Sequence, residues 1–506
     1  MNQPKSNSKR LIWGLAYLLI LILIVFTVSK IFTFFHQGAE RKQILHTEII
    51  QESNYRPLCS WMVGENDGRL MSEQTRAELQ ADYLKAWQVK NTAFFTNELA
   101  GIDDLFTQSA RQNLYHLIED HKRRGIHIET TSLSHRLELD LFSEDGQLVS
   151  MRDRGVVEHI QMYQDDRLIQ STTDTSDYRI ILLLEDGFWR IRHMIRMESS
   201  LRTKERKTLN LPYAIKGINY YPQKNPWNTF GRNFDENQIK TDLRIIKELG
   251  LNSIRIFCQY RDFGQANLYP FKVERLQKLL DLAQEAELGV VITIFDFYGD
   301  YSVRDWNLNQ LHLTGIVNAC MNHPALLAWD VKNEPDLDFD SRGKERVMNW
   351  LSMMIQLIKS TDRNHPITIG WSTTQAAENL TEEVDFVSFH YYQKLDQFSA
   401  AVEALKAECP NKQLVLQEYG LSSYGGIWNL FSSSAEAQAD YYREVQKKIK
   451  DHNLQYMLWT LYDFEMIPVE VVGKAPWKKA KQQGFGLMDL EGKQKPAYQE
   501  IEQAAN

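Results

Sequence analysis

The sequence predicts an α/β protein with two folded units behind one apolar N-terminal span: an α+β domain followed by a (β/α)8 TIM barrel. Three observations carry this reading. From residue 212 to residue 506, strand, loop and helix patterns alternate eight times. Residues 71–200 instead run helices first and then a meander of alternating strands separated by turns. Residues 11–28 contain no charge. The chain has 506 residues, too many for one ordinary domain, and its 43% hydrophobic content can fill two cores. A formal net charge of −8 disfavours nucleic acid as a partner, because such proteins present a basic face.

The N-terminal element comes first. Residues 1–10 are polar and carry Lys5, Lys9 and Arg10. The run from Leu11 to Val28 is almost entirely large and apolar, long enough to cross a bilayer as a helix. A cleaved signal peptide would end in small residues of an Ala-x-Ala-like site, and no such site follows. An uncleaved transmembrane helix over residues 11–29 is therefore expected. Basic residues ahead of it favour a cytoplasmic N-terminus, with the rest of the chain periplasmic or extracellular. Residues 30–70 read as a stalk.

In residues 71–200, Met71–Asn97 has helical periodicity through Leu79, Tyr83, Leu84, Trp87, Phe94 and Phe95, and Asp103–Arg123 reads as a second helix. Strand patterns follow at Ile126–Thr131, His135–Phe142, Val149–Tyr163, Arg167–Thr173, Asp177–Leu184 and Phe188–Met197. Hairpin turns are expected at Glu144-Asp145-Gly146 and Glu185-Asp186-Gly187. This order of elements resembles the nuclear transport factor 2-like (NTF2-like) fold, a cone whose interior often holds a pocket. His127, Asp140, Asp153, Arg154, Glu158 and His159 are candidates to line one, although the solvent-facing alternation of a sheet is the favoured explanation of them. Docking of a protein partner is the role expected of this domain.

Residues 201–211 are a polar, basic linker to the barrel. Strands are expected at Ile215–Tyr220, Ser253–Phe257, Val290–Phe295, Leu326–Lys332, Ile367–Trp371, Phe386–His390, Leu414–Gln417 and Tyr456–Leu461. Amphipathic helices lie between them, for example Glu236–Leu249, Val273–Glu287, Arg346–Lys359, Ser399–Glu408 and Ala435–Asp451, with only a short one near Thr374–Leu380. A doubly wound open sheet would want a Gly-rich turn after its first strand, and Tyr221–Trp227 contains no glycine.

A barrel opens all its strand C-termini on one face. The side chains collected there are Asn219, Tyr220, Arg255, Asp296, Asn333, Glu334, Trp371, His390, Tyr392, Glu418 and Trp459. No three of them read as convenient metal ligands, no activated Ser or Cys stands among them, and no cofactor motif is present. Two glutamates remain. Glu334 ends an apolar run closed by Pro335, and Glu418 ends Leu-Val-Leu-Gln-Glu. Cleaving a glycosidic bond needs one carboxyl group to protonate the leaving oxygen and another to stabilise the anomeric carbon. Strands four and seven sit across the barrel mouth, so Glu334 and Glu418 suit those roles. Arg255 is expected to lower the pKa of one carboxyl while the like charge raises that of the other.

The motifs Asn333-Glu334, Glu418 in Gln-Glu-Tyr-Gly, Arg255 on strand two, His390-Tyr391-Tyr392 and Trp459 resemble clan A glycoside hydrolases, family five above all, over residues 212–506. The resemblance implies Glu334 as acid/base, Glu418 as nucleophile, Asn333 on the sugar 2-hydroxyl, Tyr392 and Arg255 holding Glu418, and Trp459 as the floor of the donor site. Many members of the family carry a His near the end of strand three. This chain has Asp296 and Tyr298 there as alternative sugar contacts, beside Tyr220, Trp371 and His390. Trp227, Trp306 and Trp428 are candidate sugar platforms. The implied activity is a retaining β-glycoside hydrolase acting on an oligo- or polysaccharide such as a β-glucan or mannan. A transglycosylase and a noncatalytic carbohydrate-binding or assembly protein are the alternatives.

Overall fold

A computed structural model describes residues 54–64, 66–199, 206–425, 434–473 and 475–505. The expected span at residues 11–29 and Trp428 lie outside them. Among the described residues no helix is long and apolar enough to cross a membrane.

The first unit is α+β. Strand β1 (Leu58–Trp61) is followed by helices α1 (Glu73–Thr96), α2 (Ile102–Leu105) and α3 (Gln108–Arg123) and strands β2 (Ile126–Ser132), β3 (Ser134–Phe142), β4 (Leu148–Gln164), β5 (Arg167–Glu185) and β6 (Phe188–Glu198). Ser72 starts α1 by accepting from Thr75 N, and Asn97 ends it in the left-handed region. The strands run β1-β3-β4-β5-β6, with β2 on the far part of β4. Trp87, Tyr83, Leu79 and Ala86 of α1 pack on Leu137, Met151, Ile180 and Leu182 of the sheet.

Three expectations change here. Leu58–Trp61, placed in a stalk, pairs in parallel with β3 and belongs to the sheet. The second helix is broken, because Phe106 turns extended and bridges to Ile191. The two strands expected over residues 167–184 are one, because Asp174, Thr175 and Ser176 continue the ladder with β4.

The second unit is a closed eight-stranded parallel barrel in the order β10-β11-β12-β13-β14-β7-β8-β9. Its strands are β7 (Lys216–Asn219), β8 (Ser253–Gln259), β9 (Gly289–Asp296), β10 (Leu326–Asn333), β11 (Ile367–Trp371), β12 (Val387–Tyr391), β13 (Leu414–Tyr419) and β14 (Gln455–Leu458). Helices α4 (Glu236–Glu248), α5 (Pro270–Glu285), α6 (Trp306–Cys320), α7 (Phe339–Arg342), α8 (Lys344–Thr361), α9 (Phe398–Glu408) and α10 (Ala435–Asp451) return the chain, and α11 (Val469–Val472), α12 (Pro476–Gln483) and α13 (Pro496–Ala505) close it. After β11 only a 3-10 turn, Ala376–Glu378, stands where a short helix was expected. The expected linker is partly built into the barrel, with Arg206 paired to Asp385 and Leu209 N donating to the same carboxylate.

The units share buried contacts. Asn307, fully buried at the start of α6, donates to Ser132 O (2.9 Å) and accepts from Arg56 N (3.1 Å). His159 stacks on Trp306 at 4.2 Å. Arg346 pairs with Glu129 at 2.7 Å. Trp306 is thus an interdomain core residue, which corrects its reading as a sugar platform.

Candidate active site

The site is built around Arg255, which emerges from β8 with no solvent exposure. A buried guanidinium persists only when its donors are matched. Nε and Nη2 donate to Asp330 Oδ2 (2.9 and 2.6 Å), Nε also to Thr293 Oγ1 (3.0 Å), Nη1 to Asn219 Oδ1 (3.1 Å) and Nη2 to Asn333 Oδ1 (2.8 Å). Nη1 also donates to Glu418 Oε1 at 2.6 Å. Gly370 on β11 makes room for this. A Cβ there would lie 2.8 Å from Arg255 Nη2 and 2.6 Å from Gln417 Oε1. Asp330 is a site residue that the strand-end inventory missed. A lone acid inside the run Leu-Leu-Ala-Trp-Asp-Val is the signal, since such a group needs a buried cation.

Register then brings the acids together. His390 on β12 pairs with Glu418 on β13, and Asn333 on β10 pairs with Gly370. Glu334 follows the end of β10 with φ 45° and ψ 53°, a left-handed conformation for a non-glycine residue, and Pro335 opens the next turn. Such local strain concentrates at functional positions. His390 Nδ1 lies 2.9 Å from Glu334 Oε1 and 3.6 Å from Glu418 Oε2, and Tyr392 OH donates to Glu418 Oε2 (3.1 Å). Ligating atoms of Glu334, His390 and Glu418 all lie within 4.8 Å of one another. They therefore have the spacing of a metal-ligand trio, which the strand-end inventory did not recognise. Arg255 already holds a positive charge against Glu418, which opposes a dication there.

The two carboxyls differ in setting. The Glu418 side chain is 7% exposed and Glu334 25%. Burial pushes the Glu418 carboxyl above its ordinary range, against the pull of His390 and Arg255. Glu334 also meets the cost of burial, but its bond to His390 and the charges of His390, Arg255 and Lys332 hold it below the ordinary range. His390 is fully buried, yet the two carboxylates raise its pKa. The lowered carboxyl is thus Glu334, which His390 bonds directly, and the raised one is Glu418, where burial outweighs Arg255 and His390. Within the His390–Glu334 pair these directions favour the proton on His390.

The remaining predicted residues divide. Trp459, 6% exposed, faces the mouth beside Tyr221, Phe257 and Phe464, with half-buried Trp227 against them. The peptide Trp459–Thr460 is cis. Asp296 is 3% exposed, and burial raises its pKa to about 6 against the pull of Lys332 and Arg255. Tyr220 does not join them. It is 1% exposed and its hydroxyl donates to Asp242 on α4 (2.9 Å), so it faces the helical layer. Trp371 is likewise buried, edge-on to Phe339. Tyr298 stacks on Trp350 and donates to Asn309. These three are core residues, because inward and outward positions alternate along a strand and the polar tip alone does not fix the phase. In the α+β unit, Asp140 and Arg154 form ion pairs with Arg152 and Glu138, and His127 stacks on Tyr163; only Asp153, Glu158 and His159 are buried.

Residues 215–465 match the family model for cellulase, glycosyl hydrolase family 5. The barrel is a glycosyl hydrolase family 5 domain. The chain is 22% identical over 284 residues to the beta-glucuronidase of Homo sapiens, covering 52% of this chain and 40% of that protein. It is 23% identical over 396 residues to the beta-glucuronidase of Streptococcus agalactiae, covering 67% of this chain and 62% of that one. It therefore spans less than two thirds of the length of these relatives. Among solved structures, the exo-beta-1,4-mannosidase of Opitutaceae bacterium strain TAV5 has 19% identity and a TM-score of 0.49, with 58% of this chain and 59% of that chain covered.

Proposed function

We propose that this family 5 protein is a retaining β-glycoside hydrolase acting on a β-linked oligo- or polysaccharide of the glucan or mannan type. The observation that carries the proposal is the meeting of Glu334, His390 and Glu418 within 4.8 Å at the barrel mouth. Double displacement needs carboxyls about 5 Å apart, and inversion needs a wider gap to seat water.

Arg255 and Tyr392 each fix one oxygen of Glu418, which aims the carboxylate at the anomeric carbon. Glu334 is the more open of the two and faces the leaving oxygen. The proton on His390 passes through Glu334 to that oxygen as the bond breaks, while Glu418 forms the glycosyl-enzyme. Glu334, now ionised, takes a proton from water, and the hydroxide character that develops attacks the same carbon to release the sugar. Asn333 accepts from Arg255 through Oδ1, which orients its amide nitrogen as donor to the sugar 2-hydroxyl. Trp459 offers the ring face beneath the pyranose.

The N-terminal span is read as a membrane anchor that sets the barrel outside the cytoplasm, and the α+β unit as an NTF2-like cone. The test is turnover by the full chain on a panel of β-glycans, with Glu418→Ala as the blank. Equal turnover by both proteins would refute the reading.

A further inference from the structure

We propose that Lys332 is a positioning residue for the acid/base Glu334, its buried ammonium bracing the backbone on both flanks of that side chain. This rests on the glycosidase reading above and adds a residue that acts through Glu334, not on the sugar.

Glu334 needs holding. It is not glycine, yet its backbone is left-handed at φ 45° and ψ 53°, and a residue before proline favours the extended region. Such a backbone persists only where its surroundings over-determine it. Lys332 supplies contacts on both sides. Its Nζ donates to Asn333 O (3.1 Å), the carbonyl of the peptide that leads into Glu334. The amide of the same peptide, Glu334 N, donates to Gly370 O (2.7 Å), so that peptide is held at both ends. On the far flank, the turn Pro335–Asp338 ends at Asp338, whose Oδ2 lies 3.6 Å from Lys332 Nζ and accepts from Tyr301 OH (2.5 Å). Midway, Asp336 Oδ1 accepts from Ser372 N (3.0 Å), just past β11. The acid is thereby fixed to β10 itself, to the end of β11 and, through Tyr301, to the loop after β9.

The chemistry of Lys332 speaks against a packing role. Its side chain and that of Asp338 are each 1% exposed. Apolar residues of similar volume serve a core as well as a buried ion pair, or better. A charge kept at this cost acts on its neighbours. Against the cost of burial, the Lys332 charge joins others in pulling the carboxyls of Glu334 and Asp296 down. Removing the ammonium frees the Asn333–Glu334 peptide on one flank and the turn to Asp338 on the other, and both shifts move the carboxyl off the leaving oxygen. General acid catalysis falls steeply with such misplacement. Glu418, held by Arg255 and Tyr392, keeps its place.

The test measures kcat/KM of the full chain on phenyl and 2,4-dinitrophenyl β-glycosides of glucose, mannose, cellobiose and mannobiose. Phenoxide needs a proton from Glu334 to leave, and dinitrophenoxide does not. Lys332→Met should lower kcat/KM about 10- to 100-fold on the phenyl glycoside and no more than about threefold on the dinitrophenyl one. Glu334→Ala should show the same split, larger. Lys332→Met/Asp338→Asn removes both charges and leaves no buried carboxylate unpaired, so it should give the split even where the single variant does not fold. A packing defect alone would lower both substrates equally. Equal falls, or no fall in either variant, overturn the proposal and leave the glycosidase reading intact. Wild-type cleavage that Glu418→Ala does not abolish, or no cleavage of any probe, overturns both.

Discussion

Each half of the molecule buries a histidine against a carboxylate, and the two pairs differ in what surrounds them. In the α+β unit, His135 Nδ1 meets Asp153 Oδ2 at 2.5 Å, and both side chains have no exposure. Ser132 Oγ lies 3.0 Å from His135 Nε2, so the trio has the contacts of a serine hydrolase triad. Yet every group is occupied. Tyr83 donates to Asp153 Oδ2, Arg136 N donates to Oδ1, and Tyr55 OH bonds both Ser132 and His135. In the barrel, His390 is just as deep, but Glu334 opens to the mouth, and His390 Nε2, Trp459 Nε1 and Asp296 Oδ2 have no protein partner. A saturated, sealed cluster holds a fold together; one left partly open and unpaired is poised for a ligand.

The largest expected difference tests that contrast directly. Glu418→Ala should lower kcat at least about 10,000-fold, because it deletes the bond-forming carboxylate. Its thermal midpoint should fall less than that of Asp153→Ala, because Arg255 keeps Asn219 and Asp330 as acceptors. Asp153→Ala should do the opposite. It leaves His135, Tyr83 and Arg136 N without an acceptor, and breaking such a buried pair costs about 3–5 kcal/mol. Denaturant unfolding should register that loss, while activity per folded molecule is retained. A catalytic defect as large as that of Glu418→Ala, without loss of stability, would mean that the sealed cluster takes part in chemistry.

The barrel was legible because each parallel strand announces its end by an abrupt polar residue, and the ends share one face. That logic collected Glu334, Glu418, Arg255, His390, Tyr392, Asn333, Trp459 and Asp296, which the structure brings together. It also collected Tyr220 and Trp371, which it does not. Strands buried on both faces read as continuous apolar runs, so the sequence contains no phase to separate inward from outward residues. Asp330 was overlooked for the converse reason: it lies inside the strand, where it pairs with Arg255, and not at the strand end. The α+β unit was read more coarsely. Its polar run Asp174-Thr175-Ser176 reads as a break between strands, yet it continues β5 along β4.

The interdomain face gives a smaller, pH-dependent prediction. Asp305 accepts from Asn54 Nδ2 at 2.5 Å, and burial with the neighbouring charge of Asp300 raises its pKa from the ordinary 3.8 to about 7. A carboxyl whose folded pKa is raised contributes stability that is complete below its unfolded pKa and is lost as pH rises through its folded one. The wild-type thermal midpoint should therefore fall between pH about 4 and about 7 relative to Asp305→Asn, which keeps an acceptor for Asn54 without the charge. The two curves should converge near pH 4, about the unfolded value. Parallel curves over that range would show that the charge at this junction carries no cost.

The smallest effect is expected at Tyr220, where a misplaced site residue can be tested against its structural role. Its hydroxyl is one of three donors to Asp242, with Tyr462 OH (2.7 Å) and Gln238 Nε2 (2.7 Å), and burial raises that carboxyl to about 6. Tyr220→Phe keeps the ring and removes one bond to a buried acid, a loss of about 1–2 kcal/mol. With fewer donors to its ionised form, Asp242 should titrate higher still, so the loss should grow as pH rises above about 6. Because the hydroxyl points away from the barrel interior, kcat and KM should not move. A raised KM with unchanged stability would return Tyr220 to the sugar site and reverse the assigned phase of β7.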